Sequence, residues 1–367
     1  MKPINLKIKG KSKSYPIIIG PNSSSKLSKI INKYNLKFEK YLFVIDKNVP
    51  HKIVSNITRS IDKKKTIYYF EANEKNKNQK NVDIILNILL NKNFSRNDCL
   101  VAIGGGITGD ISGFAASLFK RGLNFINVPT TLLSQVDSSI GGKTGINTRH
   151  GKNLVGSFYQ PKLVVSDTNF LKSLPQREVI CGYAEILKHS LISNIKLYKF
   201  LDKNVDKILN LESPFIEKSI FESCKIKKII VEKDEMEKNL RKSLNFGHTF
   251  AHAYEATLSF SKKLNHGEAV ILGINSALKF SLQKNIINNS HYSSIVTHIK
   301  NSKLPYQLKK YFSLKDIKKI ISFMANDKKN NTDKINLILL KKIGTPIINK
   351  QFNKNSVYSF LKNELTN

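Results

Sequence analysis

The stretch Leu100-Val101-Ala102-Ile103-Gly104-Gly105-Gly106-Ile107-Thr108-Gly109-Asp110 decides how the chain is read. A short apolar run stops at three consecutive glycines and gives way to a helical pattern over 111–119, as a buried strand does when it turns tightly into a helix. Gly104, Gly106 and Gly109 carry the spacing of a dinucleotide fingerprint, in which bare backbone reaches a pyrophosphate and a helix N-terminus offers free N–H groups. The acid that usually follows about 20 residues later is missing, because that region reads Asn124-Phe125-Ile126-Asn127. Asp46, at the end of an earlier apolar run, is the alternative ribose carboxylate. A glycine turn that only packs helix on strand is the other reading of these residues.

Working outward, Tyr41 to Ile45, Thr66 to Phe70, Phe125 to Val128 and Leu163 to Val165 are further short apolar runs, and Val82 to Leu90 has helical periodicity. Strands alternating with helices predict parallel βαβ units with both sheet faces covered. From Leu174 onward helical spacing dominates, as in Ile216, Ile220, Ser223, Ile226 and Ile230. At about 150 residues per domain, 367 residues suit two domains. The division predicted is an α/β domain over 1–173 and an all-α domain over 174–367.

The net charge of +34, from 61 basic and 27 acidic side chains, suggests a polyanion partner at first sight. Arginine, however, occurs only at Arg59, Arg96, Arg121, Arg149, Arg177 and Arg241, and the lysines are scattered rather than striped. A nucleic-acid reader is expected to keep more arginine forks. Lys, Asn and Ile are all abundant and share A/T-rich codons, so base-composition drift accounts for the excess. The expectation is therefore no nucleic-acid partner. Cys99, Cys181 and Cys224 are too few for a disulfide scaffold. No apolar run approaches the ~20 residues that span a bilayer, and the N-terminus lacks a secretory pattern. A cytoplasmic protein without a membrane partner is expected.

Two polar constellations remain. Pro129 to Ser139 is rich in hydroxyls and runs into Gly141-Gly142-Lys143-Thr144-Gly145 and Gly151-Lys152-Asn153, which suits a phosphorylated or carboxylated ligand. The upstream glycine of a nucleotide-triphosphate loop is absent. Further on, His248 and His252 share one helical face, and His266 follows, in a chain with only 8 histidines. Thr249-Phe250-Ala251 lacks the glutamate of a zinc-protease helix. Glu185 stands inside an apolar helical stretch, where a buried acid needs a proton, a cation or a metal. The cluster reads either as structural histidines or as a metal site.

GGGITGD (104–110), RGLNFINVPTTLLSQVDSSIGGKTGIN (121–147), GKNLVGSFYQP (151–161), GYAEILKH (182–189), LNFGHTFAHAYE (244–255), HGEAV (266–270) and DKKN (327–330) together resemble the 3-dehydroquinate synthase family of sugar-phosphate cyclases. The resemblance spans about Asp46 to Ile348 and implies a Rossmann-like NAD-binding domain followed by a metal- and substrate-binding domain. It implies one divalent metal, zinc or cobalt, on Glu185, His248 and His266. NAD contacts fall on Asp46, Asn48, Glu74, Lys77, Gly106, Ile107, Thr108, Gly109, Asp110, Thr130, Thr131, Lys143, Lys152, Phe170, Leu171, Lys172 and Ser173. Substrate contacts fall on Asp137, Lys143, Asn153, Lys188, Lys227, Arg241, Asn245, His252 and Lys328. His252, Lys152, Asn153, Lys143 and Arg241 are thereby placed at the reacting centre, His252 assisting proton transfer.

The implied reaction is that of a carbon–oxygen lyase. 3-Deoxy-D-arabino-heptulosonate 7-phosphate is transiently oxidised by NAD, loses phosphate, is reduced again and closes by an intramolecular aldol step to 3-dehydroquinate. The implied partners are this small phosphorylated sugar acid and a second copy of the chain in a homodimer. Another cyclase or a metal-dependent polyol dehydrogenase of the same fold is the alternative. Two departures stand out: Asn73 where the family often has glycine, and Met236 where it usually has arginine.

Overall fold

The computed structural model describes residues 3–10, 13–326 and 334–366. In chain order the elements are β1 (Ile4–Lys9), β2 (Ser14–Ile19), α1 (Leu27–Lys33), β3 (Lys40–Asp46), α2 (His51–Arg59) and β4 (Lys64–Phe70). There follow α3 (Gln79–Asn91), β5 (Cys99–Gly104), α4 (Gly106–Leu118), β6 (Asn124–Pro129), β7 (Lys143–Thr148), β8 (Gly151–Phe158) and β9 (Leu163–Ser166). The remainder is α5 (Gln176–Ser193), α6 (Ile195–Leu209), α7 (Phe215–Lys233), α8 (His248–Thr257), α9 (His266–Gln283) and α10 (Asn289–Asn301). The chain closes with α11 (Ile317–Asn326), β10 (Lys334–Lys342), β11 (Thr345–Asn353) and α12 (Lys354–Thr366).

The chain divides into two compact units, Met1–Val179 with Leu211–Met236, and Ile180–Asn210 with Glu237–Asn367. The first crossing lies six residues beyond the sequence-predicted boundary. The second feature was not anticipated: α7 belongs with the α/β unit. Lys227 on this helix bonds Asp137, and Glu217 accepts from the Thr168 hydroxyl at 3.1 Å. Local helical periodicity cannot reveal such distant partners.

The first unit is built on a seven-stranded sheet in the order β1-β2-β9-β6-β5-β3-β4, parallel except for the β1–β2 pair. Alternation along each strand sends successive side chains to opposite faces. Phe43, Ile45, Val101 and Ile103 meet Leu27, Ile31, Val54 and Ile57 of α1 and α2. Leu42, Val44, Leu100 and Ala102 meet Val82, Ile85 and Leu89 of α3 and Ile111 and Phe114 of α4. Each large apolar side chain buried here contributes roughly 1.5–3 kcal/mol, so continuous apolar runs become central strands. The edges read differently: β4 leaves Lys64, Lys65, Ile67 and Tyr69 exposed. β7 and β8 form a separate hairpin.

The second unit is helical and also holds the hairpin β10–β11, which the all-helical expectation did not include. Its strand KINLILLKK alternates at its start and turns at Gly344, where φ is 88°. Among the described residues no helix is long and apolar enough to cross a membrane. Cys99, Cys181 and Cys224 are buried free thiols.

Candidate active site

In the first unit the sheet order reverses between β3 and β5, so the helices that follow them leave in opposite directions. The carboxyl ends of such strands form the ligand crevice of open α/β sheets. Asp46 ends β3, and its carboxylate accepts from the backbone N–H of Asn48 at 3.0 Å and from its amide at 3.1 Å. Burial raises the Asp46 pKa, with Asn48 opposing. β5 ends at Gly104, Gly105 caps, and α4 begins at Gly106, earlier than the predicted 111. Glycine's poor helix propensity hid that first turn. A Cβ on Gly104 would meet Thr108 Oγ1 at 2.5 Å, so the turn needs glycine. The free N–H groups of this turn fit a dinucleotide phosphate.

Lys77 is buried and donates to Asp110 Oδ2 at 2.5 Å and to Asn153 Oδ1 at 2.6 Å. Burial raises the Asp110 pKa against the lysine's opposing charge. Lys152 lies 3.7 Å from Glu74. Predicted nucleotide residues (Glu74, Lys77, Asp110, Lys152) and a predicted substrate residue (Asn153) are thus interlinked. Thr130 donates its N–H to Gly104 O at 3.0 Å, and Thr131 exchanges hydrogen bonds with Ser134. Asp137 Oδ1 accepts from Lys227 at 2.5 Å. Lys143 opens β7 and is exposed, whereas Phe170 and Leu171 send their side chains into the core, leaving Lys172 and Ser173 outward.

In the second unit three helices converge. Glu185 lies on α5, His248 opens α8 and His266 opens α9. One ligand atom from each lies within 4.8 Å of the others. His248 Nε2 is 3.5 Å and His266 Nε2 4.0 Å from Glu185 Oε1. Their Nδ1 atoms are engaged elsewhere: His266 donates to Glu255 Oε2 at 3.1 Å, and His248 to Phe246 O at 3.3 Å. Both imidazoles therefore present Nε2 in the tautomer a metal needs. Burial, then Lys188, His252 and His266, drives the His248 pKa well below its ordinary value, favouring the neutral ligand form. For His266 burial lowers the pKa, but Glu255 outweighs it and the net shift is upward.

Glu185 is almost fully buried, pairs with Lys188, and has no hydrogen bond of ordinary geometry to either oxygen among the described residues. Such a carboxylate beside two Nε2 atoms fits a divalent cation. Sequence reasoning missed Glu255, although its position seven after His248 returns it close to the same helical face. It also missed Glu237, whose carboxylate takes the Asn245 amide at 3.1 Å.

Glycines at the helix crossings hold the set together. Gly267, next to His266, donates its N–H to Cys181 Sγ at 3.2 Å, and a Cβ there would collide with the Cys181 backbone one turn before Glu185. Gly247, next to His248, has φ 78°, and a Cβ there would sit 2.7 Å from the Ile274 nitrogen of α9. His252 is exposed, its ring 5.2 Å from that of His248 and 6.3 Å from that of His266. It stands beside the metal set without joining it. Arg241 and Asn245 lie in the 3₁₀ turn Leu240–Asn245, with Arg241 buried. Lys328 and the DKKN motif lie outside the described residues.

The 3-dehydroquinate synthase N-terminal family model matches residues 67–181, and the C-terminal one matches 182–330. The chain belongs to the 3-dehydroquinate synthase family. A 3-dehydroquinate synthase from Pelagibacter ubique is 59% identical over 364 residues, covering 99% of both chains. Among solved structures, 2-deoxy-scyllo-inosose synthase complexed with carbaglucose-6-phosphate, NAD+ and Co2+ matches with TM-score 0.88 and 26% identity. That match covers 98% of this chain and 100% of the other. A 2-epi-5-epi-valiolone synthase from Streptomyces hygroscopicus, with NAD+ and Zn2+ bound, shares the fold at TM-score 0.85 and 22% identity, covering 97% and 98%. Membership of the 3-dehydroquinate synthase family accounts for the pairing of a dinucleotide-type strand–helix turn with a His₂Glu cluster in one chain.

Proposed function

We propose that the protein is a cytoplasmic 3-dehydroquinate synthase that converts 3-deoxy-D-arabino-heptulosonate 7-phosphate to 3-dehydroquinate and phosphate, acting as a lyase with NAD and one divalent metal. The observation that carries the reading is the Glu185–His248–His266 set, three ligand atoms within 4.8 Å on converging helices. Bound NAD⁺ would supply reversible hydride transfer, and a zinc or cobalt ion would be held by Glu185, His248 and His266 and would supply Lewis-acid polarisation of substrate oxygens.

The chain's own residues supply the rest. The α4 N-terminus and Asp46 bind two parts of a dinucleotide, the central pyrophosphate on backbone N–H groups and a ribose on a carboxylate. Buried Lys188 and Arg241 are strong partners for an anionic substrate, because a charge-assisted hydrogen bond contributes roughly 1.5–3 kcal/mol. His252, exposed beside the metal ligands, moves a proton. Lys143, Lys152 and Asn153 on the hairpin and the Asp137–Lys227 pair orient the substrate.

The test is a turnover assay with substoichiometric NAD⁺, zinc and the heptulosonate phosphate. The expected result is many equivalents each of 3-dehydroquinate and phosphate per NAD⁺, with no NADH accumulating. Net NADH formation in step with product would make the protein a polyol dehydrogenase instead.

A further inference from the structure

Asn147 belongs to none of the metal, nucleotide or substrate sets, yet it sits where three of their segments meet. It lies at an irregularity of the β7–β8 hairpin, where the register jumps from Ile146↔Val155 to Thr148↔Gly151. Asn147 thus faces Lys152, Asn153 and Leu154 alone. Irregularities of this kind re-aim side chains out of a ladder.

Its backbone N–H donates to Lys77 O at 2.7 Å. Its amide donates to Glu74 Oε2 at 2.6 Å and to Glu74 O at 3.2 Å. Its Oδ1 accepts the backbone N–H of Asn153 at 3.1 Å. Asn153 has φ 57°, a left-handed conformation that asparagine tolerates and that this bond holds in place. The Asn153 side chain then accepts from Lys77 Nζ at 2.6 Å, and Lys77 continues to Asp110 on α4. The result is a closed ring through Asn147, Asn153 and Lys77, with Glu74 attached.

We propose that Asn147 is a positioning residue that couples nucleotide binding to the substrate-facing strand of the β7–β8 hairpin. The inference rests on the proposed function together with the contacts the family resemblance implies, in which Glu74, Lys77 and Lys152 meet NAD and Asn153 meets substrate. A dinucleotide that orders the 74–77 loop fixes all three atoms Asn147 donates to, and the Oδ1 bond passes that order to the Asn153 turn. Asn147 ties its own strand to the Glu74 loop and the Asn153 turn with one short side chain. Alanine removes all three side-chain bonds and leaves the backbone bond. Aspartate loses the donors and sets a second carboxylate against Glu74.

The experiment uses the full-length, zinc-loaded protein and measures amide hydrogen exchange over 147–156 with and without saturating NAD⁺, alongside calorimetric NAD⁺ binding. In the wild type NAD⁺ is expected to slow exchange in this segment about tenfold. In Asn147→Ala that slowing should vanish and the Kd for NAD⁺ should rise about tenfold. In the Glu74→Ala background the further effect of Asn147→Ala on Kd should be less than twofold. A merely structural residue would weaken both backgrounds equally, and that result overturns the proposal. Wild-type exchange unchanged despite NAD⁺ binding also overturns it, and needs no variant that folds. Absence of NAD⁺ binding by the wild type overturns the functional reading itself, and the coupling with it.

Discussion

The candidate metal set of the second unit and the candidate nucleotide loop of the first are assembled by opposite means. Glu185, His248 and His266 ride on three helices whose backbones touch at Gly267 and Gly247, so their spacing is set by main-chain contact. Glu74, Lys77, Asn147 and Asn153 lie on loops and an irregular hairpin, and their spacing is set by side-chain hydrogen bonds. Packed interiors have few alternative arrangements, whereas solvated polar bonds individually contribute about 1 kcal/mol. The first region is therefore brittle towards added volume and the second yields by degrees.

The comparison breaks most visibly at the ligands. Glu185→Ala or His266→Ala should lower turnover by roughly a thousandfold, equivalent to about 4 kcal/mol, and elemental analysis after dialysis should find little zinc. His252→Ala should slow turnover with zinc near one per chain. Equal metal loss in all of these would merge His252 into the ligand set.

Matched glycine substitutions come next. Gly267→Ala forces a methyl into the Cys181 backbone, and overpacking of this kind costs roughly 1–3 kcal/mol. A lowered Tm together with weakened zinc binding is expected. Gly106→Ala brings a methyl 3.0 Å from the Ser138 hydroxyl, which can rotate away. It should keep Tm and zinc and raise the Kd for NAD⁺, as read by calorimetry. Metal loss in Gly106→Ala, or none in Gly267→Ala, would erase the distinction between the regions.

Lysines sharpen it further. Lys188→Gln and Lys227→Gln remove buried cations and should each lower kcat/KM about ten- to hundredfold. The same change at Lys63, Lys64, Lys65, Lys75 and Lys80 should leave kcat/KM within about twofold, as expected of solvent-screened charges. Equal losses in both groups would mean that the positive charge acts as a diffuse field.

The smallest effect concerns His298, which joins Tyr183 at 2.8 Å to Asp202 at 2.9 Å. Burial lowers its pKa from 6.5 despite Asp202. The unfolded chain therefore takes up this proton first, and stability should fall as pH drops below 6.5. His298→Asn should flatten that part of the pH–stability profile, as measured by denaturant titration at pH 7 and pH 5.5.

What the sequence disclosed follows the same division. The strands β3, β5 and β6 were legible because buried strands need unbroken apolar runs, β4 because its Thr66–Phe70 end carries a short apolar run, and the histidines because they are rare in this chain. The start of α4 was misplaced because glycine carries no helical signal of its own. The attachment of α7 to the first unit depends on Lys227 reaching Asp137, 90 residues away. Asn147 was invisible for the same reason: its amide finds Glu74 at a separation of 73 residues. Periodicity reports what a segment buries, not which distant polar atom completes it.

The outer strand β4 gives the lysine excess a use beyond catalysis. Among the described residues it is the last strand of the sheet, its outer edge next to exposed Ile67 and Tyr69, a template on which another chain can add a strand. Lys63, Lys64 and Lys65 stand at the entrance to that strand, where a second copy adding parallel and in register would bring its own three lysines close alongside. Neutralising them, though silent in kcat/KM, should shorten the time the protein stays dispersed at high concentration. The lysine excess thereby sets the open sheet edge against one way of adding a copy of itself, the parallel in-register one.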